Sequence, residues 1–260
     1  MDIHMFCSRK LGLFFSVTKN PTNISSNIQQ AVISCFNSFA VDVFKPEVGF
    51  PIKETVSTNV LQDALTGNVT IKPLPLGSPV SGKVYLYGAH VTSWKNEHGE
   101  ELLFVSSKEI FKLLKPICGS IPICFPHFPN LGPLEAHGFA RNRLWRFDDD
   151  PPPFRTDATN KVFTVLILRP TKEDLKIWPH SFEYQLRIAL GPGTNLMLTL
   201  RIRNTNTNGK QFTFTFAYHT YFSVSDISEV RVEGLETLDY LDNCQIRERF
   251  TEQGDSITFE

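Results

Sequence analysis

Past about residue 80, hydrophobic and polar positions alternate with a period of two. Phe182, Tyr184, Leu186, Ile188 and Leu190 fall on one side of an extended chain. Their neighbours Glu183, Gln185 and Arg187 are polar, with only Ala189 breaking the pattern. Leu196, Leu198, Leu200 and Ile202 alternate in the same way with Met197, Thr199, Arg201 and Arg203. Successive side chains of a strand point to opposite faces, so each run presents one apolar face. Turn-forming G-P-G-T-N (191–195) joins the two runs and N-T-N-T-N-G-K (204–210) follows the second. V-Y-L-Y (84–87) and E-L-L-F-V (101–105) flank a further turn, N-E-H-G-E, and this is a hairpin signature. The continuous apolar run V-F-T-V-L-I-L (162–168) predicts a strand buried on both faces. There are no heptads, no βαβ rhythm and no internal repeat. The pattern predicts an all-β fold, a large antiparallel β-sandwich with sheets packed face to face.

Two stretches depart from this background. F-T-F-T-F-A-Y-H (212–219) reads as a strand with Phe212, Phe214, Phe216 and Tyr218 on its core face. Its other face carries Thr213, Thr215, Ala217 and His219, which is small, polar and ends in an imidazole. Such a face leaves room for a ligand, with His219 directed at it. The second stretch runs from Cys118 to Asn142. Closely spaced prolines (Pro116, Pro122, Pro126, Pro129, Pro133) exclude a helix. Phe125, Phe128 and Phe139 anchor it, so it is an ordered loop of the kind that carries function. It ends in H-G-F-A-R-N, where His137 and Arg141 are suited to hydroxyl and phosphate recognition. The plainer alternative for Arg141 is a surface ion pair with Glu135 or Asp148. For His219 it is a satisfied histidine at a strand end.

Composition narrows the function. The 260 residues have a formal net charge of −1, so there is no basic field for nucleic acid or an anionic membrane. No apolar run approaches the length of a membrane-spanning helix. Five scattered cysteines (Cys7, Cys35, Cys118, Cys124, Cys244) suggest a reducing, cytoplasmic environment rather than a disulfide framework. Cys118, Cys124, His127 and His137 are metal-ligand types, but their spacings match no standard zinc pattern, and no metal is assigned. Residues 1–55 differ from the rest: Asp2 is the lone acid before Asp42, while Arg9, Lys10 and Lys19 are basic. This suggests a poorly ordered extension, or a transit peptide to a plastid or other organelle. The main domain is then 56–260.

The loop, F-A-Y-H-T-Y-F (216–222), W-P-H-S-F-E-Y, G-L-E-T-L-D-Y-L-D and R-E-R-F-T-E-Q-G-D together resemble the hexose-6-phosphate 1-epimerases. These are relatives of the aldose 1-epimerases, or galactose mutarotases, and the plant members in particular read this way. The resemblance runs from about Lys83 to Glu260. It implies a mutarotase-type sandwich that interconverts the α and β anomers of glucose 6-phosphate by acid/base ring opening. It needs no cofactor, and a small sugar phosphate and a monomeric state are implied. His219 matches the general acid, His137 a contact to sugar hydroxyls, and Arg141 a substrate contact. Three departures stand out. R-G-G-I-P reads C-G-S-I-P here, so Cys118 replaces an arginine and Ser120 a glycine. Ala136 stands where the family has glutamine. The segments bearing the family's aspartate and general-base glutamate have no match before Glu260. The sandwich is therefore expected to be incomplete at its C-terminus. The alternative function is a weak or inactive carbohydrate-binding remnant of the fold.

Overall fold

The structure is a computed structural model. It describes side chains over 79–106, 117–128, 134–151, 162–191, 195–226 and parts of 228–258, and the backbone of six strands before them. Those six are β1 (Asp2–Cys7), β2 (Leu13–Thr18), β3 (Ile28–Cys35), β4 (Ala40–Val43), β5 (Val60–Asp63) and β6 (Asn68–Ile71). β7 (Ser81–Tyr85), β8 (His90–Lys95), β9 (Ile123–Cys124), β10 (Arg146–Phe147) and β11 (Val162–Leu168) follow. After the short helix α1 (Lys172–Ile177) come β12 (Phe182–Gly191), β13 (Asn195–Asn204), β14 (Ala217–Tyr218), β15 (Arg231–Glu233), β16 (Asp239–Asp242), β17 (Glu248–Thr251) and β18 (Ser256–Thr258). The expected domain boundary near residue 55, and the side chains of the N-terminal extension, lie outside the described residues.

The all-β expectation holds. A six-stranded antiparallel sheet runs in the order β10-β11-β12-β13-β3-β4, and a four-stranded antiparallel sheet in the order β5-β6-β7-β8. Val84, Val91 and Trp94 of the smaller sheet share one core with Leu166, Leu186 and Leu198 of the larger. The two sheets therefore face each other. Gly191 pairs with Asn195 across the G-P-G-T-N turn, and the full β12–β13 register follows from it.

Periodicity located β12 but not its environment. All ten of its residues are buried, polar ones included. Glu183 is gripped by Arg169 and Arg203 at 2.7 and 2.8 Å, and Asp148 accepts from Gln185 at 2.6 Å. The Arg187 guanidinium lies 4.1 Å from the centroid of the Phe163 ring. Phe163, Val165, Ala189 and Met197 form a second apolar cluster on this outer side. Buried charge is tolerated only with such partners. β11 is buried along its whole length, as its continuous apolar run predicts.

The segment 212–219 differs from expectation. Only Ala217 and Tyr218 pair as a strand, against β9. Phe212 and Phe214 still pack on the core, and Phe216 and Tyr218 are buried in it. Thr213 is exposed, and Thr215 caps the loop by accepting from the Phe128 amide at 2.9 Å. The apolar face survives as packing, while the Cys118–Asn142 loop occupies the side where a longer ladder would form.

α1 is not foreshadowed by the strand pattern, yet its start carries a signal. T-K-E-D is a capping box, with Thr171 Oγ1 accepting from the Asp174 amide and Asp174 accepting from the Thr171 amide. Among the described residues no helix is long and apolar enough to cross a membrane.

Candidate functional site

The site is built where the Cys118–Asn142 loop meets β14. Among its described residues the loop is non-helical, as its prolines require, apart from one 3₁₀ turn at Ala140–Asn142. Phe125 and Phe128 are fully buried and Phe139 nearly so. The Phe125 ring meets Trp178, Phe182, Tyr184 and Phe214 edge-on, with centroids 5.1–5.7 Å apart. Edge-to-face packing of this kind adds to area burial and fixes ring orientation. The backbone of the loop is pinned as well. The Phe125 amide donates to His137 O at 3.1 Å, and the Ala140 amide donates to Phe125 O at 3.1 Å. Gly138 (φ +69°) sits so close to Phe125 that a Cβ there would collide with its carbonyl oxygen. The glycine of H-G-F-A-R is thus required by close backbone approach.

From the other side, the His219 amide donates to Pro122 O at 3.0 Å and the Tyr221 amide to Ser120 O at 2.7 Å. These bonds fix His219 against the loop. The His137 and His219 rings lie 5.2 Å apart between centroids. Phe128 stacks at 5.2 Å on His137 and meets His219 edge-on at 6.2 Å. Tyr221 stands 5.2 Å from His219 on its far side. The buried Cys124 thiol is also here: its sulfur and one ring nitrogen from each histidine all lie within 4.8 Å of one another.

The structure therefore brings together His137, Arg141 and His219, the three residues singled out from the sequence. Arg141 Nη2 donates to Ala136 O at 2.9 Å, and its charge is felt by both histidines. Asp148, one partner considered for it, is engaged by Gln185 instead. The site also contains Cys124, Phe128 and Tyr221. Tyr221 was legible two residues beyond His219 in F-A-Y-H-T-Y-F. Cys124 faces Ala217 and Phe128 in a small cluster that only the β9–β14 pairing creates.

Electrostatics keep this pocket free of histidine charge. Desolvation, with the neighbouring His137 and Arg141, lowers His219 to about 3. Desolvation, Arg141 and His127 lower His137 to about 4. Among the described residues no carboxylate contributes to either shift. Both imidazoles are neutral at about pH 7, and each offers one N–H donor and one lone pair. His137 Nδ1 and Arg141 Nε are buried without a protein hydrogen-bond partner, which leaves them for a polar ligand. Burial pushes Cys124 up to about 12 and, with Cys118 and Cys124 nearby, Tyr221 to about 12.

The Cys118 end of the loop is held separately. His90, buried in β8, has Nε2 2.7 Å from Gly119 O, so the Nε2–H tautomer donates. Ser120 adopts φ +56°, the left-handed region in which a glycine is at ease. Its Oγ donates to Thr92 O at 3.2 Å, which offsets part of that strain. Cys118 is exposed.

The chain is similar to known proteins in sequence and in fold. A family model described as aldose 1-epimerase matches residues 76–260. The chain is 68% identical over 178 residues to a Cenchrus ciliaris protein named "Putative glucose-6-phosphate 1-epimerase", covering 68% of this chain and 54% of that protein. It is 36% identical over 161 residues to an Escherichia coli K12 protein of the same name, covering 60% of this chain and 49% of that one. The chain thus spans about half the length of the curated relatives it matches. A solved structure from Salmonella typhimurium, titled as a "putative mutarotase", superposes with a TM-score of 0.61 at 28% identity, covering 80% of this chain and 66% of that one.

Proposed function

The chain belongs to the aldose 1-epimerase family, and from that premise we propose that its pocket serves anomer interconversion of a hexose 6-phosphate, glucose 6-phosphate being the substrate. The observation that carries this reading is the convergence of His137, Arg141 and His219 in one desolvated pocket from two distant parts of the chain.

Ring opening moves two protons. The anomeric hydroxyl loses one to water, the C1–O5 bond breaks to leave an aldehyde at C1, and the ring oxygen gains one. Rotation about C1–C2 and reclosure then give the other anomer. His219, protonated from solvent, supplies the proton to the ring oxygen and returns to the neutral imidazole. The His219 backbone amide donates to Pro122 O and its ring is flanked by Tyr221, which together fix the residue just beyond β14. His137 Nδ1, without a protein partner, binds a sugar hydroxyl. Arg141, a planar and permanently charged fork, takes the phosphate. A dianionic phosphate beside Arg141 also cancels that cation's share of the pKa depression at His219.

The test is anomer exchange on α-glucose 6-phosphate, followed by two-dimensional exchange NMR. His219→Ala should lose on the order of 10²-fold or more in rate while still binding the sugar. An unchanged rate would remove His219 from the mechanism.

A further inference from the structure

We propose that Cys124, His137 and His219 form a binding site for a soft divalent cation of the Zn²⁺ type. The three side chains are separated by 13 and 82 residues in sequence, and meet because β9 pairs with β14 and the H-G-F-A-R turn folds over both. The Cys124 thiol is fully buried and lies against the two imidazoles.

The donor set decides the class of ion. One thiolate with two imidazoles suits zinc, cobalt or copper, whereas magnesium and calcium require oxygen ligands. Three protein ligands leave a fourth position open, as in catalytic rather than structural zinc sites. An ion equidistant from three atoms at the outer separation would lie about 2.8 Å from each, against about 2.0–2.3 Å for zinc bonds to nitrogen and sulfur. Side-chain rotations closing less than about 1 Å complete the shell. The thiol releases its proton to solvent as the metal–sulfur bond forms, so the bound complex carries one positive charge rather than two. That matters beside Arg141, whose guanidinium opposes a full dication.

The binding site stands without the anomerase reading. Its consequence rests on that reading: a cation there occupies His219 and blocks proton transfer, so Zn²⁺ is an inhibitor rather than a cofactor.

The experiment uses Co²⁺ as a spectroscopic probe on the full chain. A sulfur-to-cobalt charge-transfer band in the near ultraviolet, with the visible intensity of tetrahedral cobalt and bleached by stoichiometric Zn²⁺, is the expected result. The band should survive Cys118→Ser and vanish in Cys124→Ala. No band in the unmodified chain, or a band that persists in Cys124→Ala, overturns the proposal. Should Cys124→Ala not fold, His219→Gln decides: Co²⁺ affinity falls at least tenfold, or the site is not the one described. The readout is absorption, so a chain that binds Co²⁺ but exchanges no anomers separates this site from the proposed function.

Discussion

At the scale of single residues, the site is an exercise in what burial does to ionisable groups. His137 and His219 are titratable near neutrality in water, but here desolvation and the Arg141 charge hold them neutral. The pocket suits a ligand that brings its own negative charge. Cys118 bears on that directly, because it stands exposed at the mouth of the loop where the resemblance places an arginine. Cys118→Arg should tighten glucose 6-phosphate roughly tenfold or more, the value of one charge-assisted hydrogen bond, and leave free glucose unaffected. Calorimetric titration of both sugars checks this; equal effects on the two would place residue 118 away from the phosphate.

Elements matter here mainly as supports for one loop. α1 does this from behind. Asp174, nearly fully buried, binds Arg143 at 2.6 Å, and Arg143 immediately follows the 3₁₀ turn that carries Arg141. The Arg143 guanidinium also lies 5.3 Å from the Phe139 ring centroid. Burial alone would raise the Asp174 carboxyl, but hydrogen bonds from Arg143 and Thr171 overcome it and hold the group below the usual carboxylate range. Removing one partner of such a pair leaves the other without compensation and typically costs about 3 kcal/mol or more. Asp174→Ala should therefore lower the urea-unfolding free energy by about 3–5 kcal/mol, loss of the helix cap included. It should also slow exchange through a looser His137–Arg141 turn. A loss under about 0.5 kcal/mol would show that α1 is ornamental to the loop.

At the scale of the whole molecule, the sandwich buries histidines it cannot protonate. His90 is lowered to about 4 by burial, against the hydrogen bond with Gly119 and with Arg141 adding to the lowering. Below about pH 6.5 the unfolded chain takes up a proton at this residue that the folded chain refuses. Folding stability is therefore complete above that pH and is lost as pH falls toward 4. The slope is up to about 1.4 kcal/mol per pH unit for each such histidine, and His90 alone accounts for on the order of 3 kcal/mol. His219 contributes with the same sign. Denaturation midpoints measured at about pH 7, 6, 5 and 4.5 check this, and a flat profile below about pH 6.5 would rule it out.

Local pattern alone determined the class of fold and the course of β11, β12 and β13. Period-two alternation and turn chemistry are properties of neighbours in sequence, so they can be read without a third dimension. Tertiary structure decided what no local pattern encodes. The polar side of β12 is buried because Phe163 of β11, Arg203 of β13 and Arg169, just past β11, cover it. The strand expected over 212–219 shrinks to Ala217–Tyr218 because the loop supplies only Ile123 and Cys124 as a partner edge. Cys124 joins the histidines for the same reason. A strand is defined by its hydrogen-bonding partner and a site by the side chains that partner brings, and both are facts of long-range contact.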